Sequence, residues 1–371
     1  MTSPQQARTV RLALAGLQVE LDLSPGHADL AAELEVLWSH ALDGTAAADP
    51  LRLRVRSPLD PGVEGSMLVR PGPSAAYELS GHLTREAIRT LKGKAILLHA
   101  GAVDHPDAGT LLVVGPSGAG KSTATRHLAR GGGYLSDELA ILEPAGLGLL
   151  AFPKPVSLVD GSLPGRGKRD VALPELGLRP VPSAPRPSQV ILLDRESDAE
   201  TGLLERVDLA EALLVLVKQS SSLWTVPGGL GLLAEVLRGA GGALRARYRE
   251  AEQLTELLGD LPAPQDEIVE ALPSPADDSP PIPPGAFVPA PRTEAIATMN
   301  GVVVLGEGRV MHAPGLAGLV WEELALDGPL TPGQIEDRLV TELGAHPDSG
   351  AILGETLDVF LRDGWLRTRP E

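Results

Sequence analysis

Apolar and polar residues alternate in two short runs, 8–14 and 17–23, on either side of Gly16. That pattern predicts two strands joined by a tight turn. Residues 28–42 set Leu30, Leu34, Leu37 and Trp38 on one helical face. Residues 51–57 alternate cleanly, and 66–80 are expected to hold two more strands, so residues 1–80 read as a β-rich N-terminal lobe. Helical spacing returns over 83–94, with Thr84 as the expected N-cap. Residues 95–104 read as a strand ending in His99, and an apolar run, 110–114, suits a buried parallel strand. The helix that follows, 123–130, is stopped by Gly131-Gly132-Gly133. Strands near 133–142, 146–152 and 189–196, helices over 207–220 and 231–240, and a short strand with a final helix over 242–261 complete an α/β region, 81–261. Within it, residues 161–187 are rich in Gly, Pro, Arg and Lys and read as a mobile basic loop.

The grammar changes after residue 261. Residues 262–291 are dense in proline and carry Asp266, Glu267, Glu270, Asp277 and Asp278. They read as a semi-extended, solvated linker. Residues 292–371 give three short strands about the turn Asn300-Gly301, then helices over 315–325, 331–344 and 349–366. Thr331 is the N-cap and Pro332 the first residue of the second helix. This is the pattern of a small α+β, winged-helix-like module.

Composition narrows the function classes. The chain has 371 residues and a formal charge of −17, which argues against a nucleic-acid partner or an anionic membrane surface. It has no cysteine, hence no thiolate chemistry or Cys-ligated metal. No stretch approaches the ~20 apolar residues of a membrane span, and residues 1–9 lack the apolar core of a signal peptide. A soluble cytoplasmic protein is expected. Its oligomeric state is open, and a homo-oligomer is compatible with the sequence.

The chemistry centres on residues 111–123, LLVVGPSGAGKST. Gly115, Pro116, Ser117, Gly118, Ala119, Gly120, Lys121 and Ser122 fit G-x-x-x-x-G-K-[ST], and Thr123 continues into the helix. Such a loop turns backbone N–H groups into one concavity at a helix N-terminus and so wraps a phosphate chain. ATP is the expected ligand, with Lys121 on the β- and γ-phosphates and the Ser122 hydroxyl on Mg²⁺. Asp137 and Glu138, adjacent at a strand end, are candidate general base and Mg²⁺ ligands. Asp194, closing the apolar run 189–193, is the rival acid. His99 is a candidate to orient the acids or the phosphate. Lys154, Arg166, Lys168 and Arg169 are the nearby cations available to neutralise charge on a transferred phosphoryl group.

The elements LLHAGAV, GPSGAGKST and GGGYLSDELAIL, in that order, resemble the HPr kinase/phosphorylase family over roughly residues 80–260. His99 stands at that family's His position, and Ser136-Asp137-Glu138 at its Ala-Asp-Asp position. The resemblance implies a P-loop kinase fold with catalytic Asp137, Lys121 and His99. The family's Glu-x-Arg-Gly-Leu-Gly run is absent. The corresponding stretch reads LLAFPKPVSL, as suits divergent members found in peptide-modification gene clusters. The C-terminal NGVVVL hairpin, Leu319-Val320-Trp321, TPGQIEDRL and FLRDGWL resemble a PqqD-type peptide chaperone domain. That implies recognition of a ribosomal precursor peptide, whose leader adds as a strand to the sheet edge near Asn300-Gly301. The expectation is a Ser/Thr peptide kinase. A kinase of a free small molecule, or a non-catalytic ATP-binding adaptor that delivers a peptide, remain open at this stage.

Overall fold

The computed structural model describes residues 7–369 apart from 46, 59, 61–64, 160, 162–166, 197–201, 266–268 and 275–280. The protein is mixed α/β. The chain divides into two compact units, Met1–Leu204 with Arg245–Leu261, and Glu205–Leu244 with Pro262–Glu371. Among the described residues no helix is long and apolar enough to cross a membrane.

In the first unit the alternating runs become the antiparallel strands Arg8–Leu14 and Leu17–Leu23, turning at Ala15-Gly16. The helix Ala28–Leu37 buries Leu30, Leu34 and Leu37, and Trp38 just beyond it is fully buried. Leu51–Arg56 and Met67–Leu68 extend the sheet in parallel. Of the two strands expected over 66–80 only the first forms. Residues 75–80 belong instead to a 17-residue helix, Ala75–Leu91. Ser74, not Thr84, stands at its N-cap; Thr84 lies mid-helix and its hydroxyl donates to the Ser80 carbonyl at 3.1 Å. Ala75, Ala76, Leu79, Leu83 and Ala87 are buried along one face, a helical stripe that Gly81 interrupts to the eye. The boundary expected at residue 80 thus falls inside a helix. Nor is 1–80 a separate lobe, because Leu34, Trp38 and Leu79 share one apolar cluster with Leu97, Ile141 and Phe152.

The main sheet sets side by side Ala243–Tyr248, Gln189–Arg195, Gly109–Val114, Ala100–His105 and Gly133–Ser136. Gln189–Arg195 runs parallel to Gly109–Val114, and Ala100–His105 runs antiparallel to it. The helix Lys121–Leu128 packs tightly on this sheet. A β-carbon on Gly101 would meet the Thr125 hydroxyl at 2.0 Å, so only glycine fits there. Residues 161–187, expected as a mobile loop, instead include ordered strands. Lys168–Val171 pairs with Val156–Val159, and Ser183–Ala184 pairs with Leu149–Leu150. Val171 and Leu173 are buried, so this stretch has an apolar anchor that its Gly/Pro content conceals.

The second unit differs from the expected division at 261. Helices Leu209–Lys218 and Gly229–Gly239 belong with the C-terminal segment rather than with the first unit. The expected linker, 262–291, also contributes structure. Glu270–Leu272 pairs antiparallel with Glu294–Thr298, and Phe287–Pro289 pairs with Leu366–Thr368. Leu272, Ala286 and Val288 are buried. Asp266, Glu267, Asp277 and Asp278 lie outside the described residues. The expected meander forms as Glu294–Thr298, Gly301–Gly306 and Arg309–Ala313. Helices Leu316–Asp327, Pro332–Leu343 and Ser349–Arg362 follow, the second opened by a Thr331–Gln334 capping box.

Glu294 binds the inserted helix to the meander. Its carboxylate accepts from the Leu230 N–H at 2.8 Å, satisfying an orphan donor at the N-terminus of Gly229–Gly239. Burial pushes this carboxyl up, against the lowering pull of the Leu230, Gly229 and Gly228 amides. Glu294→Ala should destabilise the protein by about 1–2 kcal/mol, and Glu294→Gln, which keeps an acceptor, by less. Urea unfolding checks this, and an alanine variant as stable as wild type would contradict it.

Candidate functional site

Sheet register brings the sequence-predicted residues together. Ala100 pairs with Val114, so His99 and Gly115 leave the sheet at the same edge. Ser136 pairs with Ala102, which delivers Asp137 and Glu138 there too. The Ser136 hydroxyl accepts from the Glu138 and Leu139 amides at 3.2 and 2.9 Å. That local turn holds the acid pair in one orientation.

Gly118 and Gly120 sit at φ 87° and 85°, a left-handed geometry that favours glycine. Gly120 is the N-cap of the helix Lys121–Leu128. The Ala119 carbonyl accepts from the Tyr248 hydroxyl at 2.8 Å, bracing the loop from behind. The Lys121 ammonium is buried and donates to the carbonyls of Gly115 at 2.7 Å and Pro116 at 3.1 Å. Burial lowers its pKa, opposed by the charge of Glu138.

A cavity of about 520 Å³ opens over the loop. Ser117, Gly118, Gly120, Lys121, Ser122 and Thr123 line it, and His99, Asp137, Glu138 and Lys154 face them. Gly115, Pro116 and Ala119 are not on its wall; their carbonyls hold Lys121 and Tyr248. Asp137 is only 4% exposed, and its Oδ1 accepts from the Tyr134 hydroxyl at 2.9 Å. Burial and the neighbouring carboxylates push the Tyr134 phenol well above its usual range, so it remains a donor at physiological pH. His99 is exposed where it lines this cavity. Partial burial and then the Lys121 charge lower its pKa, opposed by Glu138 and Asp137, so the imidazole is uncharged near neutrality.

Of the expected cations among the described residues, Lys154 alone is buried at the cavity, at 6% exposure. Its ammonium pairs with Glu138 at 2.9 Å and donates to Ser157 at 3.2 Å; Ser157 in turn donates to Asp170 at 2.7 Å. Burial opposes its charge, but Asp137, Glu138 and Asp170 together hold its pKa above the usual value. Lys168 also lines the cavity, Arg169 does not, and Arg166 lies outside the described residues. Asp194, the rival acid, is half-exposed, stands off this wall and faces Arg247 at 3.9 Å. Tyr134, Ser136, Ser157 and Asp170 were not legible as site residues. Only the serine just before the Asp-Glu pair carries a local signal, as a turn-former.

ATP and Mg²⁺ can be tested against this donor set. The left-handed glycines, the helix N-terminus and a buried ammonium fit a polyphosphate. The Ser122 hydroxyl and the Asp137 and Glu138 carboxylates are hard oxygen donors, which suit Mg²⁺. Among the described residues no group of three His, Asp or Glu converges as a metal site. No protein-family model matches the chain, and no curated protein matches it significantly.

Asp170 generates a pH prediction. Burial raises its pKa; Ser80, Ser157 and the Lys154 charge oppose, while Asp137 adds to the rise. For a carboxyl raised on folding, stability is full below the unfolded pKa, about 3.9, and is lost as pH rises through the folded pKa. Removing Lys154 takes away a lowering influence. Lys154→Met should therefore steepen the fall of thermal stability from about pH 4 to 7, and adding Asp170→Asn should flatten it. Thermal midpoints across that range check this; parallel pH profiles for wild type and Lys154→Met would contradict it.

Proposed function

We propose that the protein is an ATP-dependent kinase of the HPr kinase type. It phosphorylates a Ser or Thr hydroxyl of a ribosomally made precursor peptide, and the PqqD-like segment recognises that peptide. The observation that carries the reading is the convergence of Lys121, Ser122, Asp137 and Glu138 on one cavity at the end of the phosphate-loop strand. A site that takes ATP and Mg²⁺ also fits a cytoplasmic protein.

Bound ATP would supply the γ-phosphoryl group, and Mg²⁺ would offset charge on its phosphates. Lys121 leaves the Gly115 and Pro116 carbonyls for the phosphates and offsets their charge. Ser122 and Glu138 would hold the metal. Asp137, oriented by Tyr134, takes the proton of the acceptor hydroxyl as its oxygen bonds to phosphorus. The bond from phosphorus to the β,γ-bridging oxygen breaks, and ADP leaves. His99, uncharged, can donate a hydrogen bond to the same phosphate without adding charge.

Peptide recognition rests on the sheet of the second unit. The hairpin edge expected to receive the leader is covered, since Glu270–Leu272 pairs with Glu294–Thr298. The turn is engaged as well: Asn300 donates to Asp208, which caps the helix Leu209–Lys218. The sheet's other edge is Arg309–Ala313, and this is the edge we assign to the leader strand. Arg309, stacked 4.0 Å over Trp365, braces its start.

Removing 292–371 would strip Glu294 from helix Gly229–Gly239, so the kinase reading is tested with point variants of the cavity. Asp137→Asn should keep ATP affinity within about threefold and lower single-turnover phosphorylation of the precursor peptide by about a hundredfold or more. Lys121→Ala should abolish transfer. Asp194→Asn should remain active. An inactive Asp194→Asn beside an active Asp137→Asn would reverse the choice of acid.

A further inference from the structure

A second cavity, of about 490 Å³, lies along the exposed side of the helix Ala75–Leu91. Its wall includes Glu78, Gly81, His82 and Arg85 from that helix, and at its inner end Tyr77, Glu138 and Lys154. Those last three residues also line the cavity over the phosphate loop. The two cavities therefore meet at the Lys154–Glu138 ion pair, next to Asp137. The loop occupies one wall of the first cavity, and the junction lies with the acid pair that faces it. An attacking hydroxyl must come in line, opposite the leaving group, and the second cavity opens onto Glu138 and Lys154 with no residue of the phosphate loop on its wall.

Its charges say what it would take. The Arg85 guanidinium donates to His82 Nδ1 at 2.8 Å. Burial and the Arg85 charge lower the His82 pKa, opposed by Glu78 and Glu86, so this partner is uncharged near neutrality and does not itself offset the Arg85 charge. Glu86 is taken by Arg89 at 2.7 Å. Lys154 is already matched by Glu138. Glu78, on the same wall, stands two turns before Arg85.

We infer that this second cavity is the acceptor site: it receives the extended peptide segment around the phosphorylated hydroxyl and selects an acidic side chain beside it through Arg85. The assignment rests on the kinase reading and deepens it. It separates selection near the hydroxyl from recognition of the leader.

Two substitutions test it without touching the nucleotide cavity. A β-carbon on Gly81 meets only the far end of Arg85, at 3.6 Å, so Gly81→Phe fits the helix and fills the groove. Arg85→Glu reverses the selecting charge. The probes are degenerate nine-residue peptides with a fixed central serine, assayed with ATP and Mg²⁺, and one such peptide carrying a benzophenone. Wild type should prefer Asp or Glu at one flanking position, and Arg85→Glu should prefer Lys or Arg there. Gly81→Phe should raise the peptide KM about tenfold with ATP affinity unchanged. The benzophenone should label residues 75–91, and Gly81→Phe should abolish that label. Wild-type transfer with unaltered preference and KM in both variants would overturn the acceptor assignment alone. A folded, ATP-binding wild type that transfers no phosphate to any peptide would overturn the kinase reading and the acceptor site with it.

Discussion

Two carboxylates side by side repel each other, and a wall of anions is a poor neighbour for a loop shaped to hold phosphates. The Lys154 ammonium removes that conflict. It is buried, paired with Glu138 and close enough to Asp137 and Asp170 for all three acids to hold its charge. In return it lets the acids stay at the cavity beside Lys121. An unpaired ammonium at that depth would cost several kcal/mol. The acids are thus as necessary to Lys154 as it is to them. Strand Gly133–Ser136, the segment carrying Lys154 and strand Lys168–Val171 meet through this one ammonium and its chain to Ser157 and Asp170.

The phosphate-loop edge was legible in the sequence because its signals are local. An apolar run, a fixed glycine spacing and a helix start all lie within 111–123. His99 and the Asp137-Glu138 pair were found because each ends a strand, and strand ends next to the loop share its edge once the strands pair in register. Lys154 could be singled out only as one of four cations. Its special position depends on burial, which no spacing records. Asp170 and Tyr134 were missed for the same reason, since a buried acid and a buried phenol look like ordinary polar residues in a loop and a strand. The helix Ala75–Leu91 was half-seen because Gly81 and Thr84 read as a boundary, whereas the continuous stripe from Ala75 to Ala87 decides the matter. That helix is also a wall of the second cavity, so the misplaced boundary hid that cavity as well.

The division of the chain was the least legible feature. Proline and acid content made 262–291 read as linker. Yet Leu272 and Val288 are buried, and strands Glu270–Leu272 and Phe287–Pro289 complete sheets of the second unit. Helices Leu209–Lys218 and Gly229–Gly239 pass in sequence for part of the first unit. They are tied to the meander by long-range bonds, Glu294 to Leu230 and Asn300 to Asp208. Pairings across sixty or ninety residues leave no periodic trace.

The central claim is that the cavity bounded by Lys121, Ser122, Asp137, Glu138 and Lys154 moves a phosphoryl group from ATP to a peptide hydroxyl. The most direct measurement is intact-mass spectrometry of a library of Ser- and Thr-bearing peptides, after incubation with the full-length protein, Mg²⁺ and γ-¹⁸O-labelled ATP. The account predicts a gain of one labelled phosphoryl group, mapped by fragmentation to a Ser or Thr. A library in which no peptide gains mass, in the presence of demonstrated ATP binding, would contradict it.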